Sequence, residues 1–144
     1  MKLDPKQLAK IGDYFTRKPE VAAVYLYGSY GRDEAKEDSD VDLGIILREK
    51  SQTPFCLPQV VMADELKEIL RKEVEVQDLT LCRVDFAHRV ISEGKLIYCG
   101  DEEKRISFEE KIMREFFDLK PALDEYYYYL SQMAKKGELN VRYL

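Results

Sequence analysis

Two runs decide how this chain folds: Val21-Ala22-Ala23-Val24-Tyr25-Leu26-Tyr27-Gly28-Ser29 and Asp40-Val41-Asp42-Leu43-Gly44-Ile45-Ile46-Leu47. The first is apolar, rich in β-branched and aromatic residues, and stops at a glycine, which is how a buried strand reads. The second carries two carboxylates into another apolar run and reads as a strand beside the first, antiparallel or in a mixed sheet. Side chains on a strand alternate with period 2, so Asp40 and Asp42 share one face. Between the runs the polarity reverses. From Asp33 to Asp42 stand six acids, Asp33, Glu34, Glu37, Asp38, Asp40 and Asp42, with one base, Lys36. A solvated acidic loop accounts for Asp33, Glu34, Glu37 and Asp38, but not for two acids entering an apolar strand.

On the N-terminal side, the spacing predicts a helix from Asp4 to Lys18, with Asp4 as N-cap, Pro5 at the first helical position and Leu8, Ile11, Tyr14 and Phe15 as its buried stripe. Pro19 stops it. On the C-terminal side, a loop containing Pro54 and Pro58 leads to a helix through Val60, Val61, Leu66, Ile69 and Leu70. A third strand is expected over Lys72 to Thr80 through Val74, Val76 and Leu79. A helix from Val84 to Ser92, ending near Gly94, and a short strand Leu96-Ile97-Tyr98 follow. Interleaved strands and helices give an α/β or α+β class, a mixed sheet flanked by helices. After Gly100-Asp101 the pattern is wholly helical. Ser107-Phe108-Glu109-Glu110 reads as a capping box opening a segment with Ile112, Met113, Phe116, Phe117 and Leu119, and Pro121 is expected to kink or restart the helix. Tyr126-Tyr127-Tyr128-Tyr129 would point around nearly the whole helix, so some of these rings face away from the core.

The 144 residues are 45% hydrophobic and 35% charged, with 23 Lys plus Arg against 28 Asp plus Glu and a net charge of -5. That is one domain's worth of chain with a heavily solvated surface. No apolar run reaches the roughly 18 to 20 residues of a membrane span, and Met1 to Gln7 lacks a signal peptide's apolar core, so a cytoplasmic protein is expected. Cys56, Cys82 and Cys99 form no close pair, which argues against a disulfide framework or zinc site and for buried, reduced thiols. The acidic balance argues against strong nucleic-acid binding. Nucleotides remain open, because divalent cations can neutralise the carboxylates.

Asp40 and Asp42, held on one face, suit Mg²⁺, which takes hard oxygen ligands and completes its shell with water and substrate phosphates. Gly28-Ser29 ends the other strand, where a glycine lets backbone approach a phosphate and a serine adds a hydroxyl. Neither a Walker A loop nor G-x-G-x-x-G is present.

Gly28-Ser29, ten residues, then Asp40-Val41-Asp42 resembles the signature of the polymerase-β-like nucleotidyltransferases. Gly28-Ser29-Tyr30-Gly31-Arg32 through Asp38-Ser39-Asp40-Val41-Asp42-Leu43 is similar to their minimal nucleotidyltransferase branch, a likeness spanning roughly residues 20–100 and including Val90 to Tyr98. The tail, Phe108 to Pro121 with Asp124-Glu125-Tyr126-Tyr127, is similar to the C-terminal extension of MntA-type antitoxins, encoded beside HEPN ribonuclease toxins. The resemblance implies a domain over residues 1–103 and a helical extension over 104–144, either partner-binding or packed on the core. It implies two Mg²⁺ ions, ATP, and transfer of AMP to a tyrosine hydroxyl of a HEPN toxin held in a hetero-oligomer. Asp40 and Asp42 would hold both ions, a third acid would bind the ion that activates the nucleophile, and Gly28 and Ser29 would cradle the β and γ phosphates. Arg32 and Lys36 are candidates for stabilising the leaving charge.

Many relatives read Gly-Ser-x-Ala-Arg-Gly, whereas here Gly31 and Asp33 flank Arg32. Aspartate is among the few non-glycine residues that visit the left-handed backbone. For the third acid the strand offers Glu73, Glu75 and Asp78; Glu75, where relatives usually carry Asp, is the expected one and Asp78 the alternative, and period 2 turns these two to opposite sides of the sheet. Arg83 and His88 reproduce the R-x4-H spacing of HEPN nucleases, but those are all-helical, and His88 reads as structural or surface. Two rivals stand beside the enzyme: a module that neutralises its partner by covering it with the tyrosine-rich helix, and a transferase acting on a small molecule or an RNA end.

Overall fold

The computed structural model describes residues 3–49 and 57–137. Pro54 and Cys56, for which a loop and a buried thiol were expected, lie outside the described residues, as do residues 138–144 of the extension. Helix α1 (Pro5–Thr16) leads into β1 (Val21–Tyr27), a short turn of helix α2 (Gly28–Gly31), β2 (Val41–Leu47), α3 (Pro58–Leu70), β3 (Val74–Asp78), α4 (Val84–Glu93), β4 (Lys95–Cys99) and the long α5 (Glu102–Lys135). The sheet order is β3-β2-β1-β4. β1 pairs antiparallel with both β2 and β4, while β2 and β3 run parallel, so the sheet is mixed.

Helices cover both faces. On one side, Ile11, Tyr14 and Phe15 of α1 and Met62, Leu66 and Leu70 of α3 pack on Val24, Leu26, Val41, Leu43, Ile45, Val74 and Val76. On the other, Ala87 and Val90 of α4 and Phe108 and Ile112 of α5 pack on Ala22, Ala23, Tyr25 and Ile46. Period 2 along β2 therefore sends Val41, Leu43 and Ile45 to the α1/α3 side and leaves Asp42 on the α4/α5 side.

Asp4 caps α1 as expected, in a reciprocal pair with Gln7. Leu8, expected in the buried stripe of α1, is exposed instead. The helix expected through Val60 to Leu70 is present, with Val60, Val61 and Ile69 facing solvent and Met62, Leu66 and Leu70 facing the core. Met62, Leu66 and Leu70 recur every four residues and outvote the β-branched pair. Cys99 is exposed and Cys82 only half-buried, both free thiols. Ser107 caps nothing: α5 starts five residues earlier, where the Asp101 side chain accepts from the Lys104 amide at 3.1 Å. Nor does Pro121 restart the helix, which runs through it from Glu102 to Lys135. The carbonyl that Pro121 leaves without its amide partner is that of exposed Phe117, where water can satisfy it. His88 stacks on Phe116 with ring centroids 3.6 Å apart and so ties α4 to α5, in keeping with a structural reading.

Candidate active site

Asp42 stands where three strands meet in one row. It lies opposite Tyr27 of β1 and opposite Glu75 of β3. Residues paired across neighbouring strands point to the same face, so this row carries two carboxylates and a phenol side by side. Gln77, two residues along β3, donates to Glu75 Oε1 at 2.7 Å and fixes its direction. Asp42 is half-buried, Glu75 and Asp40 exposed. Burial, then the charge of Glu75, then that of Asp40 push the Asp42 carboxyl up to about 6, against the opposing pull of Arg32. The Tyr27 phenol is pushed up by burial and by Asp42 and Glu75, so it stays protonated.

Asp78 is elsewhere. It pairs with Ile45, whose side chain is in the α1/α3 core, and is 4% exposed. Its Oδ1 accepts from the Thr80 amide at 2.9 Å and the Thr80 hydroxyl at 2.6 Å, closing the turn after β3. It thus lies on the opposite face from Asp42 and is occupied by a structural task.

Gly28 sits against Asp42. Its φ is +68, and a Cβ there would collide with Asp42 Oδ2, so no other residue lets the chain turn this close to the carboxylate. The half-buried Ser29 follows in the single turn of α2. Asp33 adopts φ 58, the left-handed conformation, where the related pattern has glycine. Its carboxylate pairs with Lys95 of β4. Lys72 fastens the other side of this loop by donating to the Tyr30 hydroxyl at 2.9 Å and the Glu37 carbonyl at 3.3 Å. The remaining loop acids Glu34, Glu37 and Asp38 are exposed, as a solvated loop requires. Lys36 and Arg32 are exposed too, and Arg32 borders a cavity beside Gly28.

Among the described residues, no three His, Cys, Asp or Glu side chains lie close enough to cage a metal. The donor set at Asp42 and Glu75, with Asp40 near enough to perturb Asp42, still fits a hard divalent cation that draws most of its shell from water and substrate phosphate. Like charges crowded onto a half-buried carboxylate are what such a cation relieves. Sequence reasoning missed Tyr27 and Phe86, whose rings meet edge to face at 5.7 Å beside the acids. Only the strand register and the packing of α4 reveal them.

Residues 9–103 match the family described as polymerase beta, nucleotidyltransferase. A candidate protein adenylyltransferase of Methanocaldococcus jannaschii is 36% identical over 77 residues, 54% of this chain and 80% of that one. Among solved structures, a chain of a toxin–antitoxin crystal structure with AMP-PNP superposes at TM-score 0.65, with 19% identity, over 82% of this chain and 96% of that one. A chain of the MntA–HepT toxin–antitoxin structure gives TM-score 0.62 at 16% identity over 85% and 97%. A chain of the structure of a tri-AMPylated Shewanella oneidensis HEPN toxin in complex with MNT antitoxin gives 0.58 at 17% over 83% and 97%. At these identities the structural likeness is one of fold. No helix among the described residues is long and apolar enough to cross a membrane.

Proposed function

Since this chain belongs to the polymerase-β nucleotidyltransferase family, we propose that it transfers AMP from ATP to a tyrosine hydroxyl of a HEPN-type toxin and acts as that toxin's antitoxin. The observation that carries this reading is the row Tyr27, Asp42, Glu75 with Gly28 pressed onto Asp42: a carboxylate pair and a close-approach backbone in one place. The name of the Methanocaldococcus relative and the HEPN complexes among the structural neighbours support the acceptor class.

In this reading Asp40, Asp42 and Glu75 would hold two Mg²⁺ ions. When bound, these supply Lewis-acid stabilisation of phosphoryl charge and lower the pKa of the attacking hydroxyl. Gly28 lets the main chain meet the β and γ phosphates, and Ser29 adds its hydroxyl. The tyrosine oxygen attacks the α-phosphorus in line, the bond from that phosphorus to the bridging oxygen breaks, and pyrophosphate leaves with the electron pair. Glu75, steadied by Gln77, lies beside Asp42 on the reacting face, which favours it over Asp78 as the third acid.

The division at residues 103 and 104 belongs to the same proposal. α5 is anchored by Phe108 and Ile112 in the core and by the Tyr25 hydroxyl of β1 donating to Glu109, while Tyr126 to Tyr129 remain exposed. The latter half is thus free to contact a partner. This exposed aromatic run also favours a second reading, neutralisation by covering the partner, because tyrosine combines apolar area with a hydrogen-bonding tip.

The test is to incubate the chain with Mg²⁺, ATP and the HEPN protein of the same operon and to weigh each chain. A gain of AMP mass on the HEPN chain that disappears with Asp42→Asn supports catalysis. A stable complex with no mass gain supports covering instead.

A further inference from the structure

The second half of α5 buries none of its described residues, yet its apolar side chains keep a strict rhythm. Ile112 and Phe116 are taken by the body, the first in the core and the second on the His88 ring. From Phe116 onward, Leu119, Leu123, Tyr126, Leu130 and Met133 follow at steps of 3, 4, 3, 4 and 3. That is the a/d repeat of a helix that packs along its length on another helix. Among the described residues no helix covers this stretch: Tyr126 is 58% and Met133 39% exposed, and a groove of about 280 Å³ lies open between α4 and α5 beside Phe116 and Leu123. Pro121 and Tyr128 stand seven apart on the opposite face, position f of the repeat, where a packed helix would not meet them.

We infer that the second half of α5 pairs antiparallel with the same segment of a second copy of this chain. The inference goes beyond the transfer reaction and needs neither nucleotide nor HEPN protein. Charge admits a second copy: the chain carries -5 overall, but residues 117–136 hold three acids, Asp118, Asp124 and Glu125, against three bases, Lys120, Lys135 and Lys136. Direction follows from the body, which packs on the first half of α5; parallel pairing would crowd two bodies at one end, and antiparallel pairing sets them at opposite ends. With Leu123 of each copy opposite Tyr126 of the other, Leu119 meets Leu130, and Met133 arrives at Phe116, where the groove lies open. Every layer of the seam is then apolar. The flanking positions, which set partner and orientation in such pairs, agree with this register. Glu115 meets Lys136 at both ends, small Ala122 meets bulky Tyr129, and Lys120 reaches the ring of Tyr127. The ion pairs of α5 among the described residues join Arg105 to Glu102 and Glu109 and Lys120 to Asp124, so Glu115 and Lys136 have none within one copy. One helix from each chain makes a small interface, so the pair forms at about 100 μM and is open at the few micromolar of a melting experiment. While closed it covers Tyr126, Tyr127 and Tyr129, and a HEPN partner that uses these rings has to open it.

Sedimentation equilibrium of the full chain, without nucleotide or HEPN protein and over a concentration series, tests the pairing. Wild type should rise from the 16.9 kDa of one chain to twice that mass. Leu130→Asp puts a charge into the seam and should weaken dimerisation about a hundredfold or more, whereas Tyr128→Ser, on the opposite face, should leave it unchanged. Glu115→Lys and Lys136→Glu should each weaken it about fivefold, and the two together should restore it, because the reversed charges again meet across the axis. Circular dichroism confirms that the variants fold; neither Leu130 nor Lys136 contributes to the buried core. A wild type that stays monomeric up to about 1 mM, or a dimer that survives Leu130→Asp, overturns the inference. Loss of the dimer with Tyr128→Ser also overturns it and assigns the association to unspecific contact of the aromatic run. A double charge reversal that fails to restore the dimer overturns the antiparallel register.

Discussion

Replacing Asp42 by asparagine should stabilise the metal-free protein at alkaline pH. The folded state raises the Asp42 carboxyl from an ordinary 3.8 to about 6, through burial first and the charges of Glu75 and Asp40 next. A carboxyl whose folded pKa is raised favours the folded state while it is protonated, below the unfolded value, and loses that contribution as pH climbs through the window from 3.8 to about 6. At pH 8 the folded protein therefore carries the full penalty of an ionised, crowded carboxylate. A rise of that size is equivalent to about 3 kcal/mol at most. Asp42 is only half-buried, so solvent screening reduces this to about 1 kcal/mol. For a chain of this size that is about 2 to 4 °C in Tm. Thermal unfolding followed by circular dichroism, with EDTA and low salt, should show Asp42→Asn melting higher than wild type at pH 8 and level with it at pH 4. Glu75→Gln should give a smaller rise of the same sign, and the double variant should show less than the sum, because the two act through one interaction. A rise of equal size at both pH values, or none at pH 8, would refute the claim that like charge and burial strain this carboxylate.

Gly28→Ala should cost about 1 to 2 kcal/mol in chemical denaturation, since a positive φ and a collision with Asp42 both oppose it, and nucleotide transfer should fall with it. Asp78→Ala should destabilise by about 1 to 3 kcal/mol by leaving the Thr80 amide and hydroxyl unpaired in the turn, yet leave AMP transfer per folded molecule intact. Loss of transfer in a folded Asp78→Ala would return Asp78 to the metal-binding set. Substituting Tyr126 to Tyr129 by serine should hardly move Tm, because all four rings are exposed, and should weaken capture of the HEPN partner in a pull-down; an unchanged pull-down would place the interface elsewhere.

Much of the sheet was legible because its two central strands are short apolar runs ended by chemically distinct residues. β1 stops at Tyr27 because Gly28 turns away at positive φ, and β2 begins where Asp40 gives way to Val41. Local capping was less reliable. Ser107 and Glu110 satisfy the spacing of a capping box, but that spacing also occurs inside a continuous helix, and Asp101 already supplied a cap. In α3, the apolar residues showed a helix but not its buried face: Val60, Val61 and Ile69 are turned to solvent while Met62, Leu66 and Leu70 are buried. A one-residue shift in such a pattern costs little locally; only packing against the sheet decides it.

The pattern of residues along the chain determined the family motif, the entry of two closely spaced acids, Asp40 and Asp42, into an apolar strand, and the left-handed tolerance of Asp33. These depend on backbone geometry over a few residues, which sequence dictates directly. The choice between Glu75 and Asp78 as neighbours of Asp42 came from the tertiary structure, through the parallel register of β3 against β2. So did the nearness of Tyr27. Those relations join segments separated by whole helices, and their alignment is fixed by how α3 and α4 pack on the sheet rather than by anything the intervening residues specify on their own.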